Sequence, residues 1–519
     1  MNLETEKLFW QAVHFLIVKK HYRILQISKN HQEVWLEKTE NKESPIIRLL
    51  HTDLDWSNRL KTDIEMVALN GERLRKRLVR GQLNITNIYF VPLPPVDDYE
   101  HLLTNPYIPA GKRKIKVTSF IVDEAKRHIS LNHLPSVFGK ELVFDENLNN
   151  DIEIEIHRLR QEAISIAATR AKAEESVFES GKPLLTYFFI IVQVIIFALM
   201  ELQGGSTQTS TLIQFGAKFN PLIIEGEWWR FLTPMFLHIG FLHLLMNSMA
   251  LYYLGPLVER IYGNIRFLFI YIFAGFAGVL GSFIFSTNLS AGASGAIFGC
   301  FGALLYFGVV FPRLFFRTLG VNILIVLAIN LMFGFTVPGI DNAGHIGGLI
   351  GGFAAAGILR FPKKRKYGTQ ILYFVGTAVI VMAMLQYGFS GSASVVDKQS
   401  IIILAQDYIQ GEEYDKAHKV LSEFHEVEED STEILFLLSF TEIKRNNLDD
   451  AKDQLHRVIE LDPNFHEAHY NLALVYLEEN SLENAKTYAE NAVKIEPKRD
   501  DYQELVENID AFIQVNQGN

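Results

Sequence analysis

Cysteine is almost missing from this chain: there is one, Cys300, among 519 residues. A lone cysteine excludes an intramolecular disulfide and any cysteine-based metal cluster. An excess of basic charge is missing too, since 49 Lys and Arg face 59 Asp and Glu. No block of the chain is basic enough to suggest a nucleic-acid binder. A cleavable leader is not evident either. The first apolar patch, around Val13 to Val18, is short and hemmed by His14 and Lys19-Lys20, so the first long apolar run is expected to serve as the insertion signal.

The charge that is present is unevenly spread. Residues 1–182 hold 27 Lys and Arg against 26 Asp and Glu, residues 183–390 hold 11 against 5, and residues 391–519 hold 11 against 28. These blocks are the expected domains: a cytosolic mixed α/β domain with a helical linker, a membrane domain, and an acidic extracytoplasmic tail. The middle block carries seven apolar runs, at about 184–200, 236–254, 266–286, 294–311, 319–335, 342–360 and 371–389. Each is near the roughly 20 residues that cross a hydrocarbon core. Basic residues sit in alternate loops: Arg260 and Arg266, Arg313 and Arg317, then Lys363, Lys364, Arg365 and Lys366. Such loops belong in the cytoplasm, which places the N-terminus inside and, after an odd number of spans, the C-terminus outside. A bacterial plasma membrane fits this organisation.

In the first block, "HYRILQISKN" and "HQEVWLEKTE" alternate like strands around a polar turn at Ser28 to His31, and "KIKVTSFIVDE" reads as a further strand. Asp63 to Arg80 reads as helix with clustered cations, and a charged helix leads from about residue 150 into the first span. Histidines 14, 21, 31, 51, 101, 128, 133 and 157 lie here without a recognisable ligand spacing. A divalent metal or a partner at this domain is therefore a minor expectation. The tail repeats itself every 34 residues: Ala417, Ala451 and Ala485; Ala405, Ser439 and Ala473; Leu404, Leu438 and Leu472; Pro463 and Pro497. Tyr408 and Tyr476 share a position at which Glu442 departs, and Glu429 stands where the first unit would have proline. The pattern resembles the tetratricopeptide repeat, a helical solenoid whose concave face implies a protein or peptide ligand. The bland alternative is that the tail packs on the membrane domain or dimerises.

Polar side chains inside apolar spans are costly, so their positions carry information. His243 and Asn247 lie in "FLHLLMNSMA", Ser294 opens "SGAIFG", and His345 lies in "NAGHIGGLIGG". All four fall near the start of an even-numbered span, hence at one depth in the outer leaflet. A hydroxyl beside an imidazole is the minimal nucleophile and base. The oxyanion that follows needs donors, for which the Ser294 N–H at a helix start, the Asn247 amide and the His243 ring are available. A serine in "GASGA" taken alone is helix-packing material, and Ala296 breaks the G-x-S-x-G elbow. Gly344, Gly348 and Gly352, with Gly295 and Gly299, have the spacing that lets two helices approach closely.

At "HLLMN" (243–247), "GASG" (292–295), "GHIGGLIGG" (344–352) and "EWWR" (227–230), the chain resembles the rhomboid family of intramembrane serine proteases. The resemblance covers about 184–360, a six-span core to which the seventh span is an addition. It implies that Ser294 is the nucleophile and His345 the base, without a third acidic member or a cofactor, and that His243 and Asn247 stabilise the oxyanion with the Ser294 N–H. It implies supporting roles for His238, Gly292, Gly295, Gly348, Gly352, Trp229 and Arg230. Phe298 stands where many members carry tyrosine against the catalytic histidine; its ring keeps the stacking surface but lacks the hydroxyl. The implied substrates are other membrane proteins, cut in or near their transmembrane segments. The competing readings are an inert client-binding adaptor and, more distantly, a transporter with buried His and Asn along its pathway.

Overall fold

The computed structural model describes residues 2–78, 81–109, 114–123, 138, 151–362, 366–390, 396–425 and 431–517. Arg80, His128, His133, Lys363, Lys364, Arg365 and Glu429 lie outside the described residues. The chain divides into two compact units, Met1–Val177 and Phe178–Asn519.

The first unit is α/β. Helix α1 (Leu3–Val18) is capped by the Asn2 side chain, which accepts from the Glu4 N–H. It takes in the patch at Val13 to Val18 as part of a buried amphipathic helix. Strands β1 (Arg23–Ile27), β2 (Glu33–Glu37), β3 (Ile46–His51), β4 (Leu83–Val91) and β5 (Ile115–Asp123) form one sheet in that order, antiparallel from β1 to β3 and parallel from β3 to β5. The parallel connection from β3 to β4 requires a crossover, supplied by α2 (Ser57–Leu78). A short α3 (Glu100–Thr104) precedes β5, and α4 (Ile152–Glu175) follows it. The sheet is covered on both faces, which is why β4 is buried along almost its whole length, Thr86 and Asn87 included. Ile88 and Phe90 face α1 and α4, whereas Ile85 and Tyr89 face α2.

Across the β2–β4 surface runs a closed polar cluster. Buried Arg48 donates to Glu33 (2.6 Å), to both carboxylate oxygens of Asp63 (2.6 and 3.1 Å) and to Asn87 (3.1 Å), while Tyr89 donates to Asp63 (2.6 Å). Among the described residues no group of three or more His, Cys, Asp and Glu side chains is placed to hold a metal. His14 instead pairs with Glu162 (3.3 Å) and His51 with Thr5 (3.2 Å).

The second unit carries the apolar helices. Among the described residues five are long and apolar enough to cross a membrane: α5 (Leu184–Leu202), α8 (Gly240–Tyr262), α9 (Asn264–Phe285), α13 (Asn342–Leu359) and α14 (Tyr367–Phe389). Between α5 and α8 the short helices α6 (Thr209–Gln214) and α7 (Asn220–Ile224) form a compact loop. The fifth apolar run is broken: α11 (Pro312–Thr318) and α12 (Gly320–Thr336) meet at 74°. The fourth is α10 (Ser294–Val310), only 17 residues and buried around most of its circumference. A helix apolar all round belongs in an interior, and at 17 residues α10 is about 26 Å long. At the other end of the bundle the buried Glu259 carboxylate caps α5, accepting from the Leu185 and Thr186 N–H groups and the Thr186 hydroxyl.

The tail forms helix pairs α15 (Lys398–Gln410) with α16 (Tyr414–His425), α17 (Thr432–Lys444) with α18 (Leu448–Leu461), and α19 (His466–Glu478) with α20 (Leu482–Ile495), followed by α21 (Asp500–Gln517). The small residues that recur every 34, Ala405, Ser439 and Ala473 with Ala417, Ala451 and Ala485, are fully buried where paired helices touch. Glu412, Asn446 and Asn480, again 34 apart, each turn the chain with a positive φ between the paired helices. The departing Glu442 is buried and paired with His418 (2.6 Å) and Arg445 (3.2 Å), so a buried ion pair replaces the aromatic ring.

Candidate active site

Helices α8, α10 and α13 all begin at one end of the bundle and bring the four polar residues with them. Glycine makes this possible. A Cβ on Gly348 of α13 would overlap the carbonyl of Gly295 on α10, and one on Gly352 would overlap the carbonyl of Gly299. The two backbones are therefore in direct contact along two turns. One turn nearer the helix starts, a Cβ on Gly295 would stand 3.5 Å from the Gly344 carbonyl, so the neighbours of these two glycines, Ser294 and His345, lie at the same level.

Ser294 is the first residue of α10 and half-buried. The turn before it depends on Gly292, whose φ of +145° disfavours any other residue and where a Cβ would press on the His243 ring. From that same point His243 Nε2 is 2.9 Å away and Ser294 Oγ is 3.8 Å away, so imidazole and hydroxyl share one small space. No side chain caps the start of α10. Its first N–H groups, that of Ser294 among them, have no partner within the helix and carry the positive end of its dipole. Helix α13 starts differently: Asp341 caps it, accepting from the Gly344 N–H at 2.8 Å.

His345 stacks on Phe298 with ring centroids 4.3 Å apart and planes 13° from parallel. Its Nδ1 is buried without a hydrogen-bond partner among the described residues, and the stacking on Phe298 is what fixes the plane of the ring. His243 is oriented from behind. Its Nδ1 accepts the Ile239 N–H at 3.4 Å, which in a neutral ring leaves the hydrogen on Nε2, on the edge of the ring that meets Gly292. Asn247 is buried one turn along and donates one amide hydrogen to the His243 carbonyl (3.1 Å), leaving the other free. His238 is fully buried, edge-on to His243 at 5.3 Å. Arg230 is a structural member of the loop: it donates to the Ile213 and Ala217 carbonyls (2.9 Å each) and to Glu227 (2.5 Å). Trp229 is 44% exposed and Trp228 67% exposed, a placement suited to aromatic side chains at a membrane surface.

Reading the sequence did not single out Lys218, Thr287, Asp341 or Asp397. Lys218 is buried and donates to the carbonyls of Ser286 (2.6 Å) and Asn288 (2.9 Å) in the segment that leads into Ser294. A lysine between two apolar stretches, in "GAKFN", was the available signal.

Residues 225–362 match the family model described as Rhomboid domain, and residues 442–509 match a tetratricopeptide-repeat model. The chain is 38% identical over 456 residues to rhomboid protease GluP of Bacillus subtilis (strain 168), covering 87% of this chain and 88% of that one. It is 26% identical over 247 residues to rhomboid protease AarA of Providencia stuartii, covering 42% of this chain and 87% of that one. Among solved structures, the first TPR of Spaghetti matches 23% of this chain and 97% of its own, at 16% identity and a TM-score of 0.22.

Proposed function

The chain belongs to the rhomboid family of intramembrane serine proteases, and from that premise we propose that it hydrolyses peptide bonds of membrane proteins through a Ser294–His345 dyad. His345 takes the proton from Ser294 Oγ as the oxygen attacks the scissile carbonyl, then returns it to the leaving amine. The developing oxyanion is met by the Ser294 N–H, His243 Nε2–H and the free hydrogen of the Asn247 amide. Water then attacks the acyl-enzyme, again with His345 as base. The observation that carries this reading is the backbone contact of Gly348 with Gly295, which brings the start of α13, and His345 with it, against the start of α10.

The proposed arrangement is seven spans, with residues 1–182 cytosolic and 391–519 outside a bacterial plasma membrane. It is supported by the basic residues Arg260, Arg266, Arg313, Arg317 and Lys366 in alternate loops. Ser294 then faces the outer leaflet, from which water reaches it. Intact helices protect their peptide bonds by hydrogen bonding, so the expected substrates carry helix-weakening residues at the cut. The tetratricopeptide-like tail offers a surface for protein or peptide ligands. Cleavage of a single-span substrate by the purified protein in liposomes tests the reading. Wild type should cut while Ser294→Ala and His345→Ala do not; a folded wild type that cuts none of several substrates would favour client binding without cleavage.

A further inference from the structure

The tail does not hang free of the membrane helices. Leu404 and Ala405 of α15 are fully buried, and α15 shares one hydrophobic core with Ile213, Phe219 and Leu222 of the α6–α7 loop. Leu421 of α16 and Leu438 of α17 belong to that same core, so the first repeat and the loop pack as one piece. Polar contacts surround it. The Tyr408 hydroxyl donates to Glu225 (2.9 Å), just before "EWWR". At the start of α15, Asp397 accepts from the Thr287 hydroxyl at 2.7 Å while also capping its own helix through the Ser400 N–H at 2.9 Å.

Thr287 is the point of consequence. It lies in the short segment between α9 and α10 that ends in Ala291, Gly292, Ala293 and Ser294. That segment is held from one side by Lys218, through the Ser286 and Asn288 carbonyls and a backbone bridge to Ser290. From the other side it is held by α15, through Asp397 to the Thr287 hydroxyl and through Ser400 to the Thr287 carbonyl (3.3 Å). Gly292 then donates to the Pro234 carbonyl at 2.9 Å, which completes the path to the serine. An uncapped helix start has little of its own to hold the approaching chain, so these outside contacts define where Ser294 sits.

We infer that the first helix of the tail is a working part of the protease: Asp397, with Thr287 and Lys218, forms a set of positioning residues that holds the α9–α10 segment and thereby places Ser294 against His345. The inference rests on the proposed role of Ser294. A displacement of about 1 Å at a reacting group can lower a rate by about a hundredfold, so a contact at the tail is able to govern turnover without touching substrate. The same path lets a ligand that strains the first repeat slow the enzyme.

The test uses the full chain in liposomes with a single-span substrate. Thr287→Val keeps the shape and removes the hydroxyl; Thr287→Ser keeps the hydroxyl; Tyr408→Phe loosens the docking away from the segment. Thr287→Val should lower kcat about tenfold or more with KM within twofold, Thr287→Ser should stay within twofold of wild type, and Tyr408→Phe should fall between them. Amide hydrogens of residues 288–293 should exchange faster in Thr287→Val while the thermal midpoint stays unchanged. Wild-type kcat in both Thr287→Val and Tyr408→Phe would overturn the inference, as would a loss that appears only in KM or only with a lowered thermal midpoint. If wild type itself does not cut, or Ser294→Ala still does, the protease reading fails first and the inference falls with it.

Discussion

Two polar clusters lie in otherwise apolar surroundings, and they are built in opposite ways. Around Arg48 each guanidinium nitrogen meets an acceptor: Glu33, Asp63 and Asn87 surround it, and Tyr89 closes the ring. Around Ser294 the valences stay open: α10 has no side-chain cap, His345 Nδ1 has no partner, and one Asn247 hydrogen is unused. Buried polar groups that satisfy one another stiffen a core, whereas those left open are costly unless chemistry needs them. The first cluster is built as scaffold, and the second has the open valences that the proposed chemistry at Ser294 requires.

Mutations should break this comparison in a definite order. Removing the proposed nucleophile should have the largest effect: Ser294→Ala should lower cleavage by at least about a thousandfold without lowering the thermal midpoint, as scanning calorimetry and a gel-based cleavage assay would show. Gly348→Leu, which must part α13 from α10, should cost about a hundredfold or more in rate and about 1–3 kcal/mol in stability. His243→Ala should remove about 3 kcal/mol of transition-state stabilisation, read as a loss in kcat with KM little changed. The scaffold cluster should respond the other way. Asp63→Ala strands the Arg48 guanidinium and should destabilise the first unit by about 2–3 kcal/mol, less than the loss for a fully enclosed pair because Asp63 is partly solvated. Phe298→Tyr should act least, within about threefold in rate, because the stacking face that orients His345 is retained.

The candidate site was legible in the sequence because polar residues are conspicuous in apolar runs. Ser294, His243, Asn247 and His345 stand out in apolar runs, and the four-residue glycine spacing already pointed to the close approach of α10 and α13. The repeat was legible for a similar reason, since small residues at a fixed interval are what paired helices need. In the first unit, β3 and β4 were not read from the sequence: "IIRLLH" is short and broken by Arg48, and the alternation that opens "LNITNIYFV" is lost at Asn87, so neither carries a sustained period. The break between α11 and α12 and the seating of α15 on the α6–α7 loop are tertiary events.

The most direct test of the open cluster asks whether Ser294 is a nucleophile at all, independent of any substrate. The full chain in liposomes would be treated with a fluorophosphonate and the modified residue located by peptide mass spectrometry. A nucleophilic Ser294 should give a single adduct that disappears in His345→Ala, where no base activates the hydroxyl. No adduct on folded wild-type protein, or labelling of Ser294 that survives His345→Ala at full rate, would contradict it.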